Sequence, residues 1–177
     1  MSMGTRGHKL KYTSKHRTKN ALIMMAEVVK RYLDGHGVNY KLHVVNGSTM
    51  TSQDAATQLH VPLETIVKSI LFTDEKHAPV LAILTGDRKA DRNKLASVVG
   101  VSKVRMASPG DTKTFAGFEV GVMPPVGHRN RIVTVIDQKA MSFNKVYGGS
   151  GKAEALVEID PHDIAKLTDA QVADISE

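Results

Sequence analysis

The 177-residue sequence predicts a single α+β domain built on a mixed, curled, barrel-like β-sheet of six or seven strands flanked by helices. Three observations carry this. Short apolar or alternating segments of strand length are separated by Gly, Pro and Asn turn chemistry, and segments of helical period lie before, between and after them. No repeat, low-complexity tract or second core divides the chain, so residues 1–20 read as a basic arm and 21–177 as the domain.

Leu22, Met25, Ala26, Val29 and Leu33 recur at helical spacing ahead of Gly35 and Gly37, which predicts an amphipathic helix over 21–34. Val38, Tyr40, Leu42 and Val44 alternate as a strand that Asn46-Gly47 ends. Thr51 or Ser52 can cap a short helix over 53–60, and Pro62 suits the first turn of another over 63–66. Strands at 67–73 and 79–85 flank a charged turn, and Asp91 can cap a helix that Gly100 terminates. A strand at 101–106 leads through Ser108-Pro109-Gly110-Asp111 into a short helix, and residues 117–127 are too rich in Gly and Pro for a regular element. Strands at 131–137, 143–147 and 153–159 follow, and Pro161 opens a C-terminal helix to about Leu167.

Composition excludes several classes of function. Without Cys there is no disulfide framework, thiolate nucleophile, zinc-thiolate site or Fe–S cluster, and no apolar run reaches the length of a membrane span. Residues 1–20 lack the apolar middle of a secretory signal, so a cytoplasmic location is expected. His36, His43, His60, His77, His128 and His162 show no metal-ligand spacing, and no GxSxG elbow is present, so neither metal, cofactor nor covalent nucleophile is expected. Charge is uneven. The 24 Lys and Arg outnumber the 18 Asp and Glu, and Arg6, Lys9, Lys11, Lys15, Arg17 and Lys19 stand in an arm free of acids. Such an arm, with the net positive stretch 21–153 behind it, fits a nucleic-acid partner as well as it fits a solvated tail.

Two segments carry candidate chemistry. In Val67-Lys68-Ser69-Ile70-Leu71-Phe72 the two-residue period sets Lys68 on one face with Ile70 and Phe72. If that face is the core, an ammonium points inward and is poised for binding or catalysis; if Val67 and Leu71 face the core, Lys68 is an ordinary surface lysine. The loop from Gly117 to His128 combines three glycines with Pro124 and Pro125, a composition suited either to a preorganised cradle of N–H groups or to plain turns. Gly148-Gly149-Ser150-Gly151-Lys152 lacks nucleotide-binding spacing and reads as a hairpin turn.

Several segments, in order, resemble the YbaK/ProX aminoacyl-tRNA deacylases, relatives of the editing domain inserted in bacterial prolyl-tRNA synthetases. They include Gly35-His36-Gly37-Val38-Asn39-Tyr40, the lysine strand 66–72, Leu84-Thr85-Gly86-Asp87-Arg88-Lys89 and Gly121-Val122-Met123-Pro124-Pro125, which fits the family's GxxxP loop. Asp137, Tyr147-Gly148-Gly149 and Ile159-Asp160-Pro161-His162 resemble its closing segments, so the likeness spans about residues 22–167.

The resemblance implies a YbaK-like fold and hydrolysis of the ester between a wrongly attached amino acid and the 3′ end of a tRNA. It implies that Lys68 holds the terminal nucleotide and ester and that Gly121 positions the aminoacyl group through its backbone. Ser69, Val122, Met123, Pro125, Gly127, His128 and Gly149 would complete the substrate site, the substrate's own ribose hydroxyl would assist, and prolyl-tRNA synthetase is a candidate partner. Ala-tRNA(Pro) is the first expected substrate, with Cys, Ser and Thr esters behind it. Val122 and Met123 are bulkier than the family's usual residues, Pro124 offers neither hydroxyl nor N–H, and Val126 replaces an aromatic. A non-catalytic tRNA- or RNA-binding module on the same scaffold is the second expectation.

Overall fold

The computed structural model describes residues 26–177. The basic arm, with Arg6, Lys9, Lys11, Lys15, Arg17 and Lys19, and the first turn of the predicted opening helix lie outside the described residues.

Helix α1 (Glu27–His36) buries Val29 and Leu33 and ends at Gly37 in the left-handed region. Strand β1 (Tyr40–Val44) follows. Helix α2 (Ser52–Leu59) is capped by Thr51, whose side chain accepts the Asp54 N–H, and a 3₁₀ turn over Leu63–Thr65 leads into β2 (Val67–Asp74). The turn to β3 (Pro79–Thr85) is closed by Asp74 Oδ1, which accepts the N–H groups of Lys76 and Ala78 at 2.8 Å each. Asp91 caps α3 (Arg92–Val99), β4 (Val104–Met106) follows, and α4 (Pro109–Ala116) opens on a reciprocal Ser108–Asp111 capping box. After the Gly- and Pro-rich loop come β5 (Val133–Asp137), a 3₁₀ turn over Gln138–Ser142, β6 (Val146–Gly149), β7 (Ala155–Ile159), α5 (Pro161–Thr168) and β8 (Gln171–Ala173).

The strands divide into two open sheets rather than one curled, barrel-like sheet. One is antiparallel, in the order β1-β7-β6; the other is mixed, in the order β4-β2-β3-β5-β8, with β5 parallel to both β3 and β8. They meet where Ile66 bridges Tyr147 beside the start of β2. Among the described residues eight strands therefore stand where six or seven were expected. The additional one, β8, has three residues and no alternating apolar pattern of its own. Its place is set by tertiary bonds: buried Asp137 accepts the Ile175 N–H at 3.0 Å, and Lys94 Nζ donates to the Ser176 carbonyl at 2.8 Å. The strand expected at 143–147 begins later and extends through Gly148 and Gly149, which belong to β6 rather than to a hairpin turn.

Strand β3 explains why the mixed sheet is the centre of the domain. Leu81 and Ile83 join one core with Val29, Leu33, Val67 and Leu71, whereas Val80, Ala82 and Leu84 join another with Phe72, Leu95 and Ile175. Both faces are covered, each fully buried Leu or Ile contributing roughly 1.5–3 kcal/mol. The two alternatives for Lys68 thus both hold in part: Val67 and Leu71 pack on one side, Phe72 on the other, and Lys68 lies at the strand's beginning where cover is incomplete. A third core holds α2 against Tyr147 and Leu156. Among the described residues no helix is long and apolar enough to cross a membrane.

Asp137 is the fastener of the C-terminal segment, because its second oxygen also accepts the Lys139 N–H at 3.1 Å. Replacing it (Asp137→Ala) strands one buried and one half-buried donor and is expected to lower stability by about 1–3 kcal/mol. Urea unfolding measures this as a lower midpoint with an unchanged m-value.

Candidate active site

A cavity of about 530 Å³ opens along the β2 edge, since β4 pairs only with Phe72, Thr73 and Asp74 and leaves the earlier part of that edge uncovered. One wall is the segment Thr49–Gln53 at the α2 N-terminus, another is Val120, Gly121 and Met123 of the Gly-Pro loop, and Gly149 and Leu156 close it from the second sheet. Met50, Met106 and Val120 line it while remaining 48%, 57% and 54% exposed, so apolar side chains stand at its mouth.

Lys68 is the one charged side chain among the described lining residues. It is partly buried, and its Nζ donates to the Gly86 carbonyl at 3.5 Å, a long bond that leaves most of the ammonium's donor capacity unused. Burial pushes its pKa below the ordinary lysine value; the Asp87 carboxylate pulls it back up, and the Lys89 ammonium presses it down again. Beside it, Ser69 Oγ is buried without a hydrogen-bond partner among the described residues.

Gly121 lines the same cavity with φ +90°, and a Cβ there would stand 2.7 Å from Met50 Cε. Its N–H and that of Met123 have no partner among the described residues. Gly149 is required by a different constraint: a Cβ on it would lie 2.5 Å from the Met123 carbonyl oxygen and 2.7 Å from that of Val122. The loop is held there by the Gly151 N–H, which donates to the Val122 carbonyl at 2.8 Å.

Lys68, Ser69, Gly121, Met123 and Gly149 are therefore brought together on one cavity. Val122 and Pro125 are buried beside it without lining it; Pro125 packs within about 3.0 Å of where a Gly148 Cβ would be. Gly127 and His128 line a second cavity of about 570 Å³, with Tyr32, Arg129, Arg131 and Lys166. There the His128 Nε2–H donates to the Pro124 carbonyl at 2.7 Å, and burial holds its pKa below the ordinary histidine value although that bond works the other way. Its role is to close the loop on itself. Sequence reasoning missed Met50, Gly86 and Met106. The signal for Gly86 was present: a Cβ there would lie 2.7 Å from the Leu63 carbonyl oxygen, so glycine marks a close approach and not merely the end of β3. Nothing in the sequence distinguishes Met50 or Met106 from core methionines.

Two covered faces, an uncovered strand edge with one partly buried lysine, and a glycine-dependent loop opposite it define a ligand-binding α+β domain whose site is formed by backbone as much as by side chains. The chain belongs to the aminoacyl-tRNA editing domain family, a family of aminoacyl-tRNA deacylases, whose pattern matches residues 46–167. It is 27% identical over 148 residues, covering 82% of this chain and 90% of the relative, to the Enterococcus faecalis protein named "Putative Cys-tRNA(Pro)/Cys-tRNA(Cys) deacylase EbsC". It is 29% identical to a Geobacillus proline–tRNA ligase over 80% of this chain and 25% of that enzyme. Among solved structures, "Crystal structure of a putative trans-editing enzyme for prolyl tRNA synthetase" matches with a TM-score of 0.78 at 31% identity, over 86% of this chain and 97% of that one. The structure titled as hypothetical protein APE2540 matches with a TM-score of 0.80 at 32% identity, over 85% and 99%.

The close approach at Gly149 gives a direct test. Gly149→Ala must push the loop backbone away, and it is expected to cost about 1–3 kcal/mol as an overpacking change. Its unfolding midpoint should fall, and ligand affinity at the cavity should fall with it, because Gly121 rides on the displaced loop.

Proposed function

We propose that the cavity seats the acylated 3′ end of a tRNA and hydrolyses its ester, with the Lys68 ammonium holding a phosphate or ester oxygen and the Gly121 backbone positioning the aminoacyl group. The single observation that carries this is that Lys68 and Gly121, far apart in sequence, line one cavity. In the reaction a water oxygen bonds to the carbonyl carbon, the carbon–oxygen bond to the ribose breaks, and the ribose oxygen takes a proton. Charge gathers on the carbonyl oxygen in between, where unpaired N–H groups such as those of Gly121 and Met123 stabilise it most. Positioning and such donors suffice for ester hydrolysis, and the reading assigns the step to water, the substrate's hydroxyl and protein groups without a metal.

The acyl group is small. Ala on tRNA(Pro) is the first substrate proposed, and Cys is the second, favoured by the name of the Enterococcus faecalis relative. A synthetase pocket excludes a slightly smaller amino acid by only about 1–3 kcal/mol, so a second pocket that hydrolyses what fits is chemically required. The methyl and thioether groups of Val120, Met50 and Met123 suit such a side chain. A cytoplasmic setting and an association with prolyl-tRNA synthetase belong to the same proposal.

A panel of mischarged tRNAs tests it. Small-acyl tRNA is expected to be deacylated, and Lys68→Ala to slow the reaction by about 10²-fold or more, the usual cost of losing one charge-stabilising donor. A wild-type protein that retards tRNA yet leaves every ester intact identifies it instead as a binding module. Because burial lowers the Lys68 pKa, the ammonium needed for oxygen binding is lost as pH rises through a value below the ordinary lysine range. Affinity for a non-hydrolysable acyl-adenosine is therefore expected to decline on the alkaline side earlier than an exposed lysine would allow, and Lys68→Arg to abolish that decline.

A further inference from the structure

Lys139 sits outside the cavity and outside every motif that the sequence singles out. It stands in the 3₁₀ turn after β5, with Nζ 2.6 Å from Asp87 Oδ2 and 3.3 Å from Glu64 Oε2. Glu64 is in the 3₁₀ turn just before β2, and Asp87 follows Gly86, whose carbonyl is the Lys68 contact. One ammonium thus ties together the two backbone segments that bracket Lys68. Burial pushes the Asp87 carboxyl up, but the Lys139 bond, the Thr85 hydroxyl, the Lys139 charge and the group's own backbone N–H together outweigh it and hold the group below the usual carboxylate range.

The electrostatics of this arrangement are uneven. Asp87 is near enough to act on Lys68, yet no carboxylate lies within ion-pair distance of the Lys68 ammonium among the described residues. The groups that face Lys68 are Asp87 and Lys89 from the connection after β3, with Glu64 and Lys139 behind Asp87. The α2 N-terminus, the Gly-Pro loop and β6–β7 contribute no charged lining residue. Arg88, with Nε 3.9 Å from Asp87, is the other cation beside that carboxylate.

We propose that Lys139 is a positioning residue for Lys68: by holding the Asp87 carboxylate it prevents Asp87 from closing an ion pair with the Lys68 ammonium, and so leaves that ammonium open to an oxygen of the ligand. A carboxylate that loses its cation beside a partly buried ammonium gains by turning toward it, since a nearby opposite charge favours the charged form of each group. The pair would then satisfy Lys68 internally and close the binding position. That Lys68 serves a ligand rests on the deacylase reading; that Lys139 keeps Asp87 from it does not.

Competitive acylation of the full chain with trace acetic anhydride over a pH series, read by mass spectrometry, follows the Lys68 amine without any substrate. In Lys139→Met, Lys68 is expected to titrate at higher pH and, below both midpoints, to be labelled about three- to tenfold more slowly than in the wild type. Adding Asp87→Asn to that variant should restore the wild-type rate or exceed it, Asp87→Asn alone should raise the rate, and Lys139→Arg should match the wild type. The proposal is overturned if Lys139→Met leaves the Lys68 titration unmoved, or if the double variant shifts as the single one does, since a mere structural staple would give either result. If the labelling behaves as expected but neither the wild type nor any variant hydrolyses mischarged tRNA, the deacylase reading fails and the role of Lys139 stands. If hydrolysis is present, Lys139→Met should raise KM more than it lowers kcat.

Discussion

The backbone of Val122 and Met123 passes so close to Gly149 that there is no room for a side-chain carbon between them, and the site depends on this contact. It lets a loop of the Gly-Pro segment lie flat against the second sheet, where the Gly151 N–H secures it. Pro125 then packs on Gly148, and the His128 Nε2–H folds the far end of the loop back on Pro124. Each of these contacts has the main chain on one side, so the loop's position is set largely by backbone geometry, while the exposed Val120 at the cavity mouth is free to vary in size. A pocket that must discriminate among acyl groups while keeping its donors fixed needs that separation.

Against this fixed loop stands a lysine under tension. Desolvation disfavours its charge, and the neighbouring Asp87, paired with Lys139, offsets this only in part. Direct pairing with Asp87 would make Lys68 more stable and less useful, because a buried ion pair fills its own hydrogen-bonding capacity. Together with the unpartnered Ser69 hydroxyl, the incompletely bonded ammonium places polar groups with unused bonding capacity along the cavity wall.

Much of this is legible in the residues, unevenly. The helix caps at Thr51 and Asp91 and the terminators Gly37 and Gly100 act as the local chemistry dictates, because capping is a contact within a few residues. Lys68 and the Gly121 loop stand out because each breaks a pattern, a charge within an apolar strand and a run of glycines and prolines between elements. The partition into two sheets was not legible: it depends on β4 stopping at Met106 and on Ile66 meeting Tyr147, pairings between distant segments with no periodic signature. Strand β8 was hidden for the same reason, being held by Asp137 and Lys94 rather than by its own side chains. Lys139 escapes notice because a lysine in a turn is unremarkable until its two acidic partners are brought to it.

Charge distribution supplies the last step. All six basic residues of 1–20 lie outside the described domain, so the remaining 18 Lys and Arg of the chain are matched by its 18 acids, none of which falls in that arm. The domain from 26 onward is formally neutral, and attraction to a polyanion cannot come from its net charge. What it offers is local: one ammonium of weakened solvation inside an apolar mouth formed by Met50, Met106 and Val120. A neutral body favours contact over long-range capture, and under the proposed function it would hold the end of a nucleic acid through shape, apolar surface and a few directed donors. Counterion release along the phosphate backbone would then come from the locally basic stretch 21–153, from the arm or from a partner. Chemistry at an acylated terminus is suited to that division, because the discriminating groups need to meet only the last nucleotide and its ester, while affinity for the rest of the molecule is provided elsewhere.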